Sequence, residues 1–137
     1  MNIQIKLTDN ELLEQIKNCS LNPSLFSHEV LLRLTWILIR TYGLNIAILK
    51  NNEIKSNYYK NALKNDKFNI TLTKAYTEIL YHFMTQTSTN SFDKLLREFP
   101  RLKYNFKDLV KTHYGYNILK EHRKAGPEQN KSSVFTF

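Results

Sequence analysis

Glycine and proline are scarce, with 3 of each in 137 residues. A β-sandwich or barrel of this length needs many turn residues, so the shortage disfavours both and points to helices joined by short loops. Cysteine is scarcer still. Cys19 stands alone, which excludes an internal disulfide and a zinc site built from this chain's thiolates. Long apolar runs are missing. The most apolar stretch, Val30 to Ile39, is interrupted by Arg33 and closed by Arg40, far short of the roughly 20 residues that cross a bilayer. Met1 to Lys6 lacks the apolar centre of a secretory signal. No membrane partner and a cytoplasmic location are the resulting expectations. Arginine is short as well: 5 of the 20 basic residues are Arg and 15 are Lys. A net charge of +8 raises nucleic acid as a partner. Arg is nevertheless the residue suited to bidentate phosphate and base contacts. Lys and Asn (15 of the latter) also rise together under an AT-rich coding composition, whatever the surface does.

What is present is aromatic and periodic. Eight Phe, eight Tyr and Trp36 argue against disorder over most of the chain. The length suits one domain with its own core. Thr8-Asp9-Asn10-Glu11 has the form of a capping box and opens a first helix over about 9–18. Ser27 caps a second, from His28 to about Tyr42, stopped by Gly43. That segment is apolar around almost its whole circumference, which makes it the buried central helix. A third helix over 45–64 carries Ala47, Ile54, Tyr58 and Ala62 on one stripe, with Lys50, Lys60 and Lys64 opposite. The fourth, about 70–85, has the clearest periodicity: Leu72, Ala75, Tyr76, Ile79, Leu80 and Phe83. A fifth buries Phe92, Leu95, Leu96 and Phe99 before Pro100 ends it. A sixth spans about 105–113, and a less regular seventh runs from Asn117 to Lys124. The expected architecture is an all-α bundle of five to seven helices around residues 28–42. It forms a single domain over 1–125, followed by a polar tail over 126–137 whose Val134 to Phe137 segment could dock on the body or a partner.

Chemistry-bearing residues are few. His28, His82, His113 and His122 include no pair at helical metal spacing, and no nucleotide or cofactor fingerprint is present. No cofactor and no metal are therefore expected. Glu78 and His82 lie four apart at the edge of the apolar face of the fourth helix. Either they form a boundary pair, or they point into a cleft as base or ligand. His28 opens the central helix, where the positive end of the helix dipole favours a neutral ring able to accept a proton or hold a metal. Arg33 is embedded in the apolar run. It needs either a path to the surface, a carboxylate such as Glu29, Glu78 or Asp108, or an anionic ligand. Asn69 or Thr71 caps the fourth helix, and backbone N–H groups at that end can hold an anion. Two basic stripes remain, Lys50, Lys60, Lys64 and Lys67 beside Tyr58 and Tyr59, and Lys103, Lys107 and Lys111.

Two segments carry a resemblance. Phe26-Ser27-His28-Glu29-Val30-Leu31-Leu32-Arg33-Leu34-Thr35-Trp36 resembles the F-x-H-x-x-H-x-R-L-x-W segment of a family of small uncharacterised bacterial helical proteins. Lys67-Phe68-Asn69-Ile70-Thr71-Leu72-Thr73 is similar to that family's K-Y-H-x-T-x-T. Phe92 to Leu102 and Leu109 to Tyr114 are weaker echoes, so the likeness covers about 26–114. Leu31 and Asn69 occupy positions where the family has histidine; of three, His28 remains. The resemblance implies a helical fold and a pocket near His28, Arg33, Trp36, Asn69, Thr71 and Thr73. It implies no reaction.

Three functions follow as expectations. The first is a non-catalytic binding or interaction module, taking a small anionic ligand between the second and fourth helices or pairing with a homologous or other protein subunit. The loss of two histidines favours it. The second is a small-substrate enzyme with His28 as base or metal ligand. The third is nucleic-acid binding through the Lys stripes.

Overall fold

The computed structural model describes residues 6–114, and the seventh helix and tail expected beyond them lie outside that range. Within it the chain forms seven α-helices and no strand: α1 (Asp9–Lys17), α2 (His28–Tyr42), α3 (Leu44–Tyr58), α4 (Ile70–Met84), α5 (Phe92–Glu98), α6 (Arg101–Tyr104) and α7 (Phe106–Tyr114). A 3₁₀ turn at Pro23–Leu25 leads into α2, and a π-helical turn at Tyr59–Leu63 follows α3. This is the all-α bundle anticipated from periodicity.

The local chemistry explains the boundaries. Thr8 Oγ1 accepts from the Glu11 N–H at 3.1 Å, and Glu11 Oε1 accepts from the Thr8 N–H at 2.9 Å, completing the capping box. Ser27 Oγ accepts from the Val30 N–H at the start of α2. Gly43 ends α2 and begins α3 in one residue. Its N–H donates to the Ile39 carbonyl, and its own carbonyl accepts from the Ala47 N–H. Its φ of 81° is a left-handed value that glycine adopts without strain. Asn69 Oδ1 accepts from the Leu72 N–H at 2.8 Å to start α4, and Ser91 Oγ does the same for the Lys94 N–H in α5.

α2 is the centre. Val30, Leu31, Leu32, Leu34, Thr35, Trp36, Ile37, Leu38 and Ile39 are all buried. α3 and α4 pack on it and on each other, α1 leans on α2 and α3, and α7 closes over α4. Fully burying a side chain such as Leu32 or Leu38 stabilises the fold by about 2 kcal/mol, so this helix dominates the apolar stabilisation. Tyr58 plugs the α1 side: its ring meets Phe26 at 4.4 Å and its hydroxyl donates to the Leu21 carbonyl at 2.7 Å.

The interior is not uniformly apolar. Thr35 from α2, Asn51 and Lys55 from α3, and Thr73 and Thr77 from α4 are buried where these three helices meet. No helix among the described residues is long and apolar enough to cross a membrane.

Candidate functional site

The three-helix junction is built from helix geometry. In α2 and α4 the hydroxyls of Thr35, Thr73 and Thr77 each donate back one turn, to the carbonyls of Leu31, Asn69 and Thr73, all at 2.8 Å. Those protons being used, the Thr35 and Thr77 oxygens can only accept. Asn51 therefore turns its amide nitrogen to both, at 3.0 and 3.1 Å, and bridges α2 to α4 from α3. Its Oδ1 is left buried with no hydrogen-bond partner. Such an orphan in a closed interior costs about 1–3 kcal/mol.

Lys55 lies one turn further along α3, on the same inward stripe. Only 6% of its surface stays accessible. It makes no ion pair or hydrogen bond among the described residues; its contact is with the face of the Tyr76 ring, 5.1 Å from Nζ to the centroid. Burial of the ammonium without a carboxylate pulls its pKa down to about 8. One helical turn further on, after α3 ends at Tyr58, the chain widens into the π turn, the Tyr59 carbonyl accepting from the Asn65 N–H at 3.1 Å, with Lys64 left-handed at φ 56°. Single π turns of this kind are frequent at functional sites.

His28 closes the junction on the α7 side. The Leu102 carbonyl lies 2.9 Å from Nε2 and can only accept, so Nε2 carries the proton. Nδ1 then accepts from the Tyr76 hydroxyl at 2.5 Å. Desolvation, more than any other influence, holds the His28 pKa below its usual value, with the Lys55 charge adding to it; the Leu102 hydrogen bond and Glu29 oppose. The neutral ring expected at the start of α2 is present, but burial is the main cause rather than the helix dipole. Tyr76 is pushed well above its ordinary pKa, first by burial and then by Tyr59. Phe106 packs on both rings, 5.3 Å from His28 and 4.4 Å from Tyr76. Outside, a cleft of about 450 Å³ reaches His28 between Lys103, Tyr104 and Lys107.

The other sequence-derived candidates divide. Arg33 and Trp36 face a different cleft of about 520 Å³, shared with Lys6, Asp9 and the Asn90–Asp93 turn. Arg33 is satisfied there by neither Glu29, Glu78 nor Asp108. Its Nε and Nη2 donate to Asp9 Oδ1 at 3.0 and 2.8 Å, and Nη2 also donates to the Leu7 carbonyl at 2.7 Å. This ties the start of α1 to α2. Trp36 is covered by the Arg40 guanidinium at 4.8 Å and by Phe92 at 5.7 Å. Asn69 caps α4, Thr71 is half-buried beside it, and Thr73 belongs to the junction. Glu78 is half-buried on α4, whereas His82 is exposed, with Nε2 2.8 Å from the Gln86 amide and the ring against Phe83.

So the junction unites His28, Thr73 and Asn69 with three residues that sequence reasoning passed over: Lys55, Asn51 and Tyr76. A signal for them existed. Asn51 is four residues after Ala47, and Lys55 is four after Asn51 and three before Tyr58, so both fall in register with the inward stripe of α3. None of the family models, curated proteins or solved structures compared with the chain matches it.

Proposed function

We propose that the protein is a binding module for a small anion, received at the α2–α3–α4 junction with Lys55 as counter-charge. The observation that carries this is a buried lysine with no acidic partner among the described residues. A buried charge is ordinarily paired, and a ligand carboxylate or phosphate supplies the missing partner. Asn51 Oδ1, one turn away, adds an unpartnered acceptor for a hydroxyl or amine on the same ligand. His28 and Tyr76 are neutral and bonded to each other, so they shape the site without competing for the anion. The cleft beside His28, lined by Lys103, Lys107 and Asp108, opens next to this junction.

Thermal-shift titration of wild type and Lys55→Met with acetate, lactate, pyruvate and inorganic phosphate, at fixed ionic strength and neutral pH, tests the reading. At least one anion should raise the wild-type Tm in a saturable way, by an amount equivalent to about 1.4 kcal/mol at ten times its Kd. Lys55→Met should not respond. Arg33→Met, whose parent side chain is held by Asp9 in the other cleft, should respond like wild type. Equal responses in wild type and Lys55→Met, or none in either, would remove the proposal.

A further inference from the structure

We infer that Lys55 is a nucleophile that forms a reversible imine with a small 2-oxo acid, whose carboxylate is the anion of the reading above, on which this rests. An imine-forming lysine needs an appreciable free-amine fraction near neutral pH and surroundings too dry to favour the ammonium. Lys55 meets both conditions. It is buried against the face of the Tyr76 ring, it has no carboxylate among the described residues to hold its proton, and its pKa lies near 8. The Lys–Glu or Lys–Asp pair that would make such a residue structural is missing among the described residues. Lys17 and Lys103 show the contrast, since both sit beside glutamates, Glu14 and Glu29. The π turn at Tyr59–Leu63 begins one helical turn after Lys55, where regular α3 ends.

The chemistry balances without an added oxidant or reductant. The Nζ lone pair attacks the carbonyl carbon and forms the C–N bond, while the carbonyl π electrons move to oxygen. One amine proton follows to that oxygen, giving a carbinolamine. The nitrogen lone pair then forms C=N as the C–O bond breaks, and the oxygen departs as water with the second amine proton. When protonated, the imine keeps the positive charge at the same place and so still faces the carboxylate.

The test is borohydride trapping on the intact wild-type chain. Protein is incubated with pyruvate at neutral pH and treated with sodium borohydride, which delivers hydride to the imine carbon. Peptides are then mapped by mass spectrometry. The expected product is a single adduct on the peptide containing Lys55, heavier by one pyruvate less one oxygen atom. Labelling at Lys55 should exceed that at any exposed lysine by more than tenfold, since its free-amine fraction is larger by roughly a hundredfold. Urea-unfolded protein should lose the preference, and acetaldehyde, which has no carboxylate, should label Lys55 more weakly than pyruvate does. Labelling spread evenly over the lysines of folded protein overturns the inference. A Lys55-dependent thermal shift with pyruvate but no trapped adduct overturns it too, while leaving the anion reading standing. No shift and no adduct removes both.

Discussion

At the scale of single residues, Arg33 shows how a charge in an apolar run is reconciled with burial. Its guanidinium emerges at the rim of α2, where Asp9 and the Leu7 carbonyl take three N–H···O contacts. The ion pair is partly screened, because Asp9 is half-exposed, so its Coulomb attraction alone is worth little. The cost of losing it lies elsewhere: the Leu7 carbonyl and the first turn of α1 lose their anchor on the central helix. Arg33→Met should destabilise the fold by about 1–2 kcal/mol in urea unfolding. Asp9→Ala should cost about as much, and the double variant less than the sum, since both remove one interaction. Strict additivity would show that the contact is incidental. In neither variant should anion binding change.

At the scale of helices, Asn69 separates a capping role from a ligand role. Its Oδ1 takes the Leu72 N–H, and its carbonyl takes the Thr73 hydroxyl. As a cap, Asn69→Ala should lower stability by about 1 kcal/mol, and Asn69→Asp should restore or exceed the wild-type Tm, because Asp caps equally well and adds charge at the helix start. A loss of stability in Asn69→Asp comparable to that in Asn69→Ala would contradict the cap. The helices themselves were legible in the sequence for this kind of reason. Thr8, Ser27, Gly43 and Pro100 mark boundaries through local chemistry, and the apolar spacing of α4 needs no tertiary knowledge. The junction was legible only in part. His28 is visible at a helix start, but Tyr76 reads as one more apolar-face residue until α2 and α4 are brought together. Lys55 and Asn51 read as surface on composition alone, and only the register of α3 places them inside. The partner of Arg33 was unreadable because it comes from a helix 24 residues away in sequence, joined by tertiary packing rather than by periodicity.

At the scale of the whole molecule, the buried junction makes stability depend on pH in two separate windows. Lys55 has its folded pKa depressed to about 8, against 10.5 when unfolded. Between those values the unfolded chain binds more protons than the folded one, so stability rises with pH through that interval and the penalty is fully present below it. From pH 8 to 9.5 the gain should be on the order of 1–2 kcal/mol. Above that range the trend turns, because burial raises Tyr58, Tyr59 and Tyr76, and the unfolded chain ionises its tyrosines first. His28 acts in the same sense at the acid end. Its folded pKa is lowered from 6.5, so protonation favours the unfolded chain, and stability falls as the pH drops through and below 6.5. The protonated ring would place a second proton on Nδ1, facing the Tyr76 hydroxyl, which would then have to stop donating there and turn toward the His28 carbonyl 3.2 Å away. Urea unfolding across pH 5.5 to 9.5 resolves the two groups. Lys55→Met should be more stable than wild type at pH 7 and should lose the alkaline rise while keeping the acid fall. His28→Asn should flatten the acid limb and leave the alkaline rise intact. If Lys55→Met kept the full alkaline rise, the lysine would have to be paired or hydrated in solution. The counter-charge role and the free amine that imine formation requires would then both lose their basis.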